Sequence, residues 1–544
     1  MRRHGNRHRV GMAVVIVTCL TLVGCGGQAR QPQVGAASAP ASGPQPATRA
    51  MREQLLAGMV SILDALDRYD EARAGEQVFD RLVQWQHAAG QGSGTPPASL
   101  PLDSLPTAAV AAGRPIMDRT GFDFPGDVTA IRDRCWLAAV ARTARGAAAD
   151  DLAVAENLFR WTVRSLALVS DPPMVPSDSV PGSRWFQPGE ILLAGRASPA
   201  QRAWVFLELL RQAGLDGVML ATPGAGGGPP RPWVPAALVA GEAYLFEPTY
   251  GMPIPGPGGT GVATLRQAIS DPAILGALSL PDRRYPVQAE SLAAGVVVLV
   301  AADPWSLAGR MVQLDRELAP SRGVRVAVEA AAVAGRAAAA VATGADPADV
   351  PRGVWAFPWE TVARRPLAAA ALAEELGPLE VPVPDPERRG AGFRALFAGR
   401  VREFRGDFEG AGGAKAAYLA ARVSRREMAT ALEGMAEAQA AAITSRLVRM
   451  KEDATYWLGL LMLAEGQDEA AVDYLQRMTL DASPDSRWTD AARINLAAAL
   501  VTLGKPSEAA ALLRADGSPQ RFGSRLAAER LAAEAAEAES PAEP

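Results

Sequence analysis

Histidine, cysteine and lysine are nearly missing from this chain of 544 residues. The three histidines are His4, His8 and His87, and the three cysteines are Cys19, Cys25 and Cys135. Zinc centres draw on sets of Cys and His ligands, and beyond residue 25 only Cys135 and His87 remain, so no such centre can be assembled. A disulfide framework is excluded on the same count, since Cys135 has no second thiol to pair with. Neither a metal nor a cofactor is expected. Lysine occurs only at Lys415, Lys451 and Lys505 while arginine and alanine abound, a mark of GC-rich coding rather than of a lysine-based site. Surplus positive charge is lacking too. The 55 basic and 59 acidic residues give a net −4, and Arg2, Arg3, Arg7 and Arg9 all fall in the acid-free first 24 residues, so the remainder carries −8. Proteins that hold nucleic acid irrespective of sequence are basic, so no nucleic-acid partner is expected. Apolar residues, by contrast, are plentiful. At 49% hydrophobic the chain can fill several cores, and its length allows roughly three to four domains at about 100–200 residues each.

The N-terminus carries the most specific signal. Residues 1–9 are rich in arginine, Val10 to Leu22 is an apolar run, and Leu22-Val23-Gly24-Cys25 follows. These are the n-region, h-region and small-residue cleavage site of a signal peptide. The run is shorter than the roughly 20 residues that span a bilayer. Leu-Val-Gly-Cys resembles the lipobox of bacterial lipoproteins. The resemblance implies cleavage after Gly24, acylation of Cys25 with a chain such as palmitate, and anchoring to a bacterial membrane on the periplasmic or outer side of the cell envelope. An ordinary signal peptide whose cleavage precedes a cysteine is the alternative. Residues 1–24 are thus read as signal peptide, and 25–48, rich in Gly, Pro, Ala, Ser and Gln, as a flexible tether.

Beyond the tether, Leu56, Met59, Leu63 and Leu66 step by three and four, and Val78, Leu82 and Trp85 repeat the pattern, predicting a helical hairpin and linker over 49–112. His87 falls on the Phe79/Val83 face as a half-buried side chain. A further helix is expected from Asp151 to Leu168, followed by a Pro-rich loop through Pro188. At Ser198-Pro199-Ala200-Gln201 the order of N-cap Ser, Pro and Gln is a capping box, and Gly214 supplies the stop. The helix between them is apolar nearly all round, as for one buried at a domain centre. Strands are expected at Gly217–Thr222, Trp233–Val239 and Glu242–Phe246, giving a core helix against an antiparallel sheet.

This order, with Ala-x-x-Phe-x-x-Leu-Leu-Arg-x-x-Gly-Leu, the Trp233 strand and Glu247-Pro248-Thr249, resembles the transglutaminase-like superfamily, a papain-related fold, over residues 113–292. The resemblance implies a nucleophilic Cys at the start of the buried helix, a His on one strand and an Asp on the next. At those positions stand Ser198 or Pro199, Arg231 and Glu247. A thiol at a helix N-terminus is activated by the helix dipole and an adjacent imidazole; a serine hydroxyl needs a base beside it, and a guanidinium stays protonated and cannot serve. Ser198 is therefore read as a helix cap, and Arg231 and Glu247 are expected to face each other as an ion pair that replaces chemistry with structure. Cys135-Trp136 lacks the glycine and downstream histidine of a papain-like site and reads as a buried structural thiol. The loop Pro223 to Pro230 lacks the Gly-Lys-Ser/Thr of a phosphate cradle and is expected at the surface.

Val296–Val300, Ser306–Leu318 and Val324–Val328 suggest a small α/β unit over 293–380, anchored by Trp355, Phe357, Pro358 and Trp359. Residues 381–533 are helical. Trp457-Leu-Gly leading to Gly466 and Ala470-Ala471, and Leu496 to Leu500 leading to Gly504 and Ala509-Ala510, form a weak repeat that resembles tetratricopeptide units, with a plain helical bundle as alternative. Such units imply a concave protein-binding groove. Residues 534–544 read as an acidic disordered tail. The expected fold class is α+β: a transglutaminase-like core flanked by an N-terminal helical hairpin and a C-terminal α-helical, repeat-like region. The expected function is that of a membrane-anchored lipoprotein whose transglutaminase-like domain is catalytically degenerate, not an enzyme, and acts as a protein- or peptide-binding scaffold. The alternative is a peptidase or acyl transferase using Ser198 or Cys135 with a base of another kind.

Overall fold

The computed structural model describes residues 49–90, 100–169, 184–224, 226, 228–342, 344, 346–384 and 392–539. The signal peptide, Cys25, the tether, most of the linker after Gly90, the Pro-rich loop at 170–183, part of the loop at 223–230 and residues 540–544 lie outside them. The fold is α+β. Among the described residues, the helices α1 (Arg49–Asp64), α2 (Glu71–Ala89), α3 (Thr107–Met117), α4 (Gly126–Arg145), α5 (Asp151–Ser165), α6 (Pro188–Ala194) and α7 (Pro199–Gln212) precede the main sheet. The hairpin of α1 and α2 forms as its periodicity predicts: Leu56, Met59 and Leu63 meet Val78, Leu82 and Trp85 in one buried cluster. His87, expected half-buried, is exposed near the end of α2.

Two residues from each side of α6 form a small parallel pair, β1 (Ala167–Leu168) and β2 (Arg196–Ala197). The main sheet has six strands: β3 (Asp216–Thr222), β4 (Arg231–Val239), β5 (Glu242–Glu247), β6 (Met252–Pro253), β7 (Val297–Val300) and β8 (Arg352–Val354), in the order β6-β5-β4-β3-β7-β8. All pairs are antiparallel except β7 with β8. The turn from β4 to β5 at Ala240-Gly241 has both residues at positive φ, 50° and 81°, the type I′ geometry that tight hairpins favour.

The sheet is buried on both faces, which is why β3 and β7 read as nearly continuous apolar runs. One face, with Met219, Ala221, Ala237 and Phe246, packs on Phe206 and Leu209 of α7, which in turn rests on α4 and α5. The other, with Val218, Leu220, Val234 and Val298, packs on Ala334 and Ala337. Those alanines belong to the last of the next set of helices: α8 (Leu265–Ser270), α9 (Pro272–Gly276), α10 (Ala289–Ala293), α11 (Gly309–Arg322) and α12 (Ala330–Val341).

The segment expected as a separate small α/β unit therefore contributes β7 and β8 to the main sheet. Val324, Val326 and Val328 are buried but form no strand, because the Asp315 carboxylate accepts the N–H groups of Val326 and Ala327 that a neighbouring strand would otherwise take. The aromatic anchors do pack: Trp359 is fully buried, and its indole N–H donates to the Ala302 carbonyl at 2.8 Å.

Helices α13 (Ala356–Arg364) and α14 (Ala369–Leu376) lead to the C-terminal region. It comprises α15 (Ala395–Arg405), α16 (Ala414–Ala421), α17 (Arg425–Leu432), α18 (Glu437–Ala464), α19 (Asp468–Val472), a π-helical stretch at Asp473–Asp481, α20 (Thr489–Thr502), α21 (Pro506–Arg514) and α22 (Arg521–Glu539). Gly466 and Gly504, the glycines of the sequence repeat, follow α18 and α20. A methyl group on Gly459 would lie 2.7 Å from Leu475, so the small residue is what lets these two helical segments approach. Helix α22 continues through Glu534 to Glu539, into the stretch read as a tail. The described residues form one compact unit. Trp136 of α4 illustrates why: it packs between Phe397 and Phe404 of α15, at 6.3 and 5.9 Å between ring centres.

Candidate functional site

Ser198 caps α7. Its hydroxyl accepts the Gln201 N–H at 3.3 Å, the Gln201 side chain accepts the Ser198 N–H at 2.9 Å, and the residue is buried. Both halves of the capping box are made, which commits the hydroxyl to the helix end. Pro199, at the first helical position, donates no hydrogen bond and adds no chemistry.

Arg231 opens β4 opposite Thr222 and is exposed. Glu247 ends β5 and is 5% exposed. The expected ion pair between them is not formed. The register explains this, because β3 pairs Leu220 with Val234 but Ala221 with Pro232, so Trp233 is an extra, bulged residue. Beyond the bulge Arg231 reaches solvent. Glu247 instead accepts a hydrogen bond from the Tyr285 hydroxyl and one from the Thr249 N–H at 2.8 Å. The bulged Trp233 completes the group, donating its indole N–H to the Tyr285 oxygen at 2.9 Å. Burial pushes the Glu247 carboxyl above its ordinary range, opposed by these hydrogen bonds.

Between the start of α7 and the end of β5 stands Arg202, 1% exposed. It donates to the carbonyl of Leu166 at 2.9 and 2.6 Å, to those of Pro248 at 3.0 Å and Val163 at 3.3 Å, and to the side-chain oxygen of Gln520 at 2.6 Å. One guanidinium thus joins α5, α7, the turn after β5 and the residue before α22. Among the described residues no carboxylate touches it, and burial lowers its pKa to about 9. It remains charged at neutral pH.

On the other side of Ser198, Arg184 and Arg196 each donate to the same oxygen of Glu375 at 2.6 Å, and Arg487 bonds the other oxygen at 3.1 Å. Burial pushes the Glu375 carboxyl up, but the three guanidiniums together hold it below the ordinary range. Arg487 also pairs with Asp453 at 2.6 Å. These contacts clamp α14, α18 and the start of α20 against the residues flanking α6.

Cys135 lies in the middle of α4, 2% exposed, and burial pushes its thiol far up, the reverse of an activated nucleophile. Among the described residues no group of three or more His, Cys, Asp or Glu side chains could hold a metal ion. No described helix is long and apolar enough to cross a membrane.

Sequence reasoning missed Arg202, Tyr285, Gln520 and Glu375. Arg202 alone left a trace, as one of three charged residues, with Glu208 and Arg211, in a helix that is largely buried. No protein family, curated protein or solved structure matches the chain.

Proposed function

We propose that the chain is a lipoprotein, anchored through Cys25 at the cell envelope, whose α+β domain is a transglutaminase-like fold without its catalytic residues and serves as a protein- or peptide-binding scaffold. The observation that carries this reading is Arg202. In the resembled fold the space between the start of the buried helix and the end of the acid-bearing strand is where nucleophile and base meet. Here a guanidinium fills it, bonded to three backbone carbonyls and to Gln520. The surrounding groups support the same reading: Ser198 is spent on its cap, and Glu247 is engaged by Tyr285 and Thr249. The helical hairpins that follow residue 437 supply the kind of surface on which stacked helices take up a partner.

The test has two parts. A Cys25→Ala variant should leave the membrane fraction and lose palmitate labelling, since paired acyl chains hold a protein at a membrane where one chain binds marginally. Purified parent and Ser198→Ala proteins should show equal, background-level amide hydrolysis and acyl transfer, with the variant about 0.5–2 kcal/mol less stable from the lost cap. Activity that vanishes in Ser198→Ala would replace this reading with the enzymatic one.

A further inference from the structure

Helices α1, α4, α11 and α15 end around a cavity of about 630 Å³. Arg68, Arg142, Arg322 and Arg405 line it against only two acids, Asp64 and Asp407, a surplus of two positive side chains. Arg405 is engaged, bonding Asp67 at 3.2 Å and Asp407 at 2.8 Å. Among the described residues nothing accepts the guanidinium N–H groups of Arg68, Arg142 or Arg322, and all three are exposed. Val60 and Val324 also line the cavity.

Helix electrostatics by itself favours arginines here. A helix C-terminus carries about half a negative charge and favours a cation in its last turn. That accounts for Arg142, Arg322 and Arg405, in the last turns of α4, α11 and α15, but it consumes none of the five N–H donors that each guanidinium carries. Three sets of unused donors bordering one space, with an excess charge of two, match a doubly charged anion with several oxygens. A phosphate offers three or more acceptor oxygens and the geometry that guanidinium forks bind bidentately.

We propose that this cavity binds a phosphate group, presented as a phosphomonoester or pyrophosphate, through Arg68, Arg142 and Arg322. The site stands on the cavity and its arginines and needs nothing from the anchoring proposed above. The same group could be offered by an anionic phospholipid headgroup or by a soluble phosphate compound, and the experiment separates the two.

Full-length protein in detergent is titrated with inorganic pyrophosphate by calorimetry. Saturable binding is expected, weakened about tenfold or more in an Arg142→Gln/Arg322→Gln double variant. An Arg316→Gln/Arg325→Gln double variant, altered at exposed arginines of a different cavity beside α12, should bind as the parent does. Circular dichroism checks folding; should the first pair fail to fold, Arg68→Gln alone carries the test, with the same direction expected. The Cys25→Ala chain is then mixed with vesicles of phosphatidylcholine containing roughly one part in five phosphatidic acid, and with pure phosphatidylcholine. Flotation with the acidic vesicles alone, lost on adding Arg142→Gln/Arg322→Gln, identifies a lipid headgroup as the source. Pyrophosphate binding without flotation identifies a soluble one. Absence of saturable pyrophosphate binding, or equal weakening in both double variants, overturns the proposal.

Discussion

Replacing Gly523 by alanine should separate the C-terminal helix from the sheet. A methyl group built at that position lies 1.9 Å from the carbonyl oxygen of Tyr250 and 2.6 Å from its carbonyl carbon. Heavy atoms in van der Waals contact stand about 3.5 Å apart, so α22 would have to retreat by about 1.5 Å. The obstacle is backbone, and no rotamer change relieves it. Overpacking of this kind costs about 1–3 kcal/mol. The retreat also draws Gln520 away from Arg202, breaking a 2.6 Å hydrogen bond to a buried charge worth about 1.5–3 kcal/mol. It lifts Phe522 from Arg283, whose guanidinium lies 3.7 Å from the ring centre, a further loss of about 0.5–1 kcal/mol. The expected loss is therefore about 3–7 kcal/mol, read by urea denaturation, with earlier proteolytic cleavage within α22. Gly517→Ala is the internal control. Its added methyl would come no nearer than 3.6 Å to Asp490, its φ lies outside the left-handed region, and it should stabilise by about 0.4–1 kcal/mol. If Gly523→Ala matches the parent in both assays, the tight docking of α22 on the turn after β5 is wrong.

Three further outcomes follow from the buried titratable groups. Because burial raises the folded-state pKa of Glu247 above its ordinary 4.5, the stability it contributes is full below that value and is lost as the pH rises through the folded pKa. Stability measured for Glu247→Gln should consequently gain on the parent between pH 4 and pH 7; a flat or falling difference would contradict the assignment. Glu375→Ala removes the carboxylate shared by Arg184, Arg196 and Arg487 and should cost about 3–5 kcal/mol in urea, and clearly more than Arg196→Ala, which leaves the other pairs intact. Equal losses would mean that the clamp is not a unit. The Cys135 thiol should resist labelling by a disulfide reagent at pH 8 until urea is added, and rapid labelling of the native protein would show the residue to be exposed.

Local signals in the sequence translated well into local structure. The Ser198 capping box, the fourteen-residue helix after it and the three strands that follow lie within a few residues of where residue spacing puts them. Each depends on chemistry within one turn or one hairpin. What could not be read depends on contacts between distant segments. Val324–Val328 alternates like a strand, yet Asp315 takes its N–H groups. Arg231 and Glu247 carry opposite charge, but a single bulged residue separates them and Tyr285, 38 residues beyond Glu247, claims the carboxylate. The partner of Arg202 lies 318 residues away, and no periodicity reports such a distance.

That separation also governs the order in which the chain can mature. Synthesis proceeds from the N-terminus at about 5–20 residues per second, so Gln520 emerges about 15–60 s after Arg202. During that interval the start of α7 has carbonyl partners but lacks its last ligand, and Trp136 waits without the α15 rings that cover it. The nascent chain thus carries a half-covered apolar face and a poorly solvated cation until its final helices arrive. A truncated product ending before α15 would keep those surfaces open permanently, which makes it a natural target for chaperones and quality-control proteases.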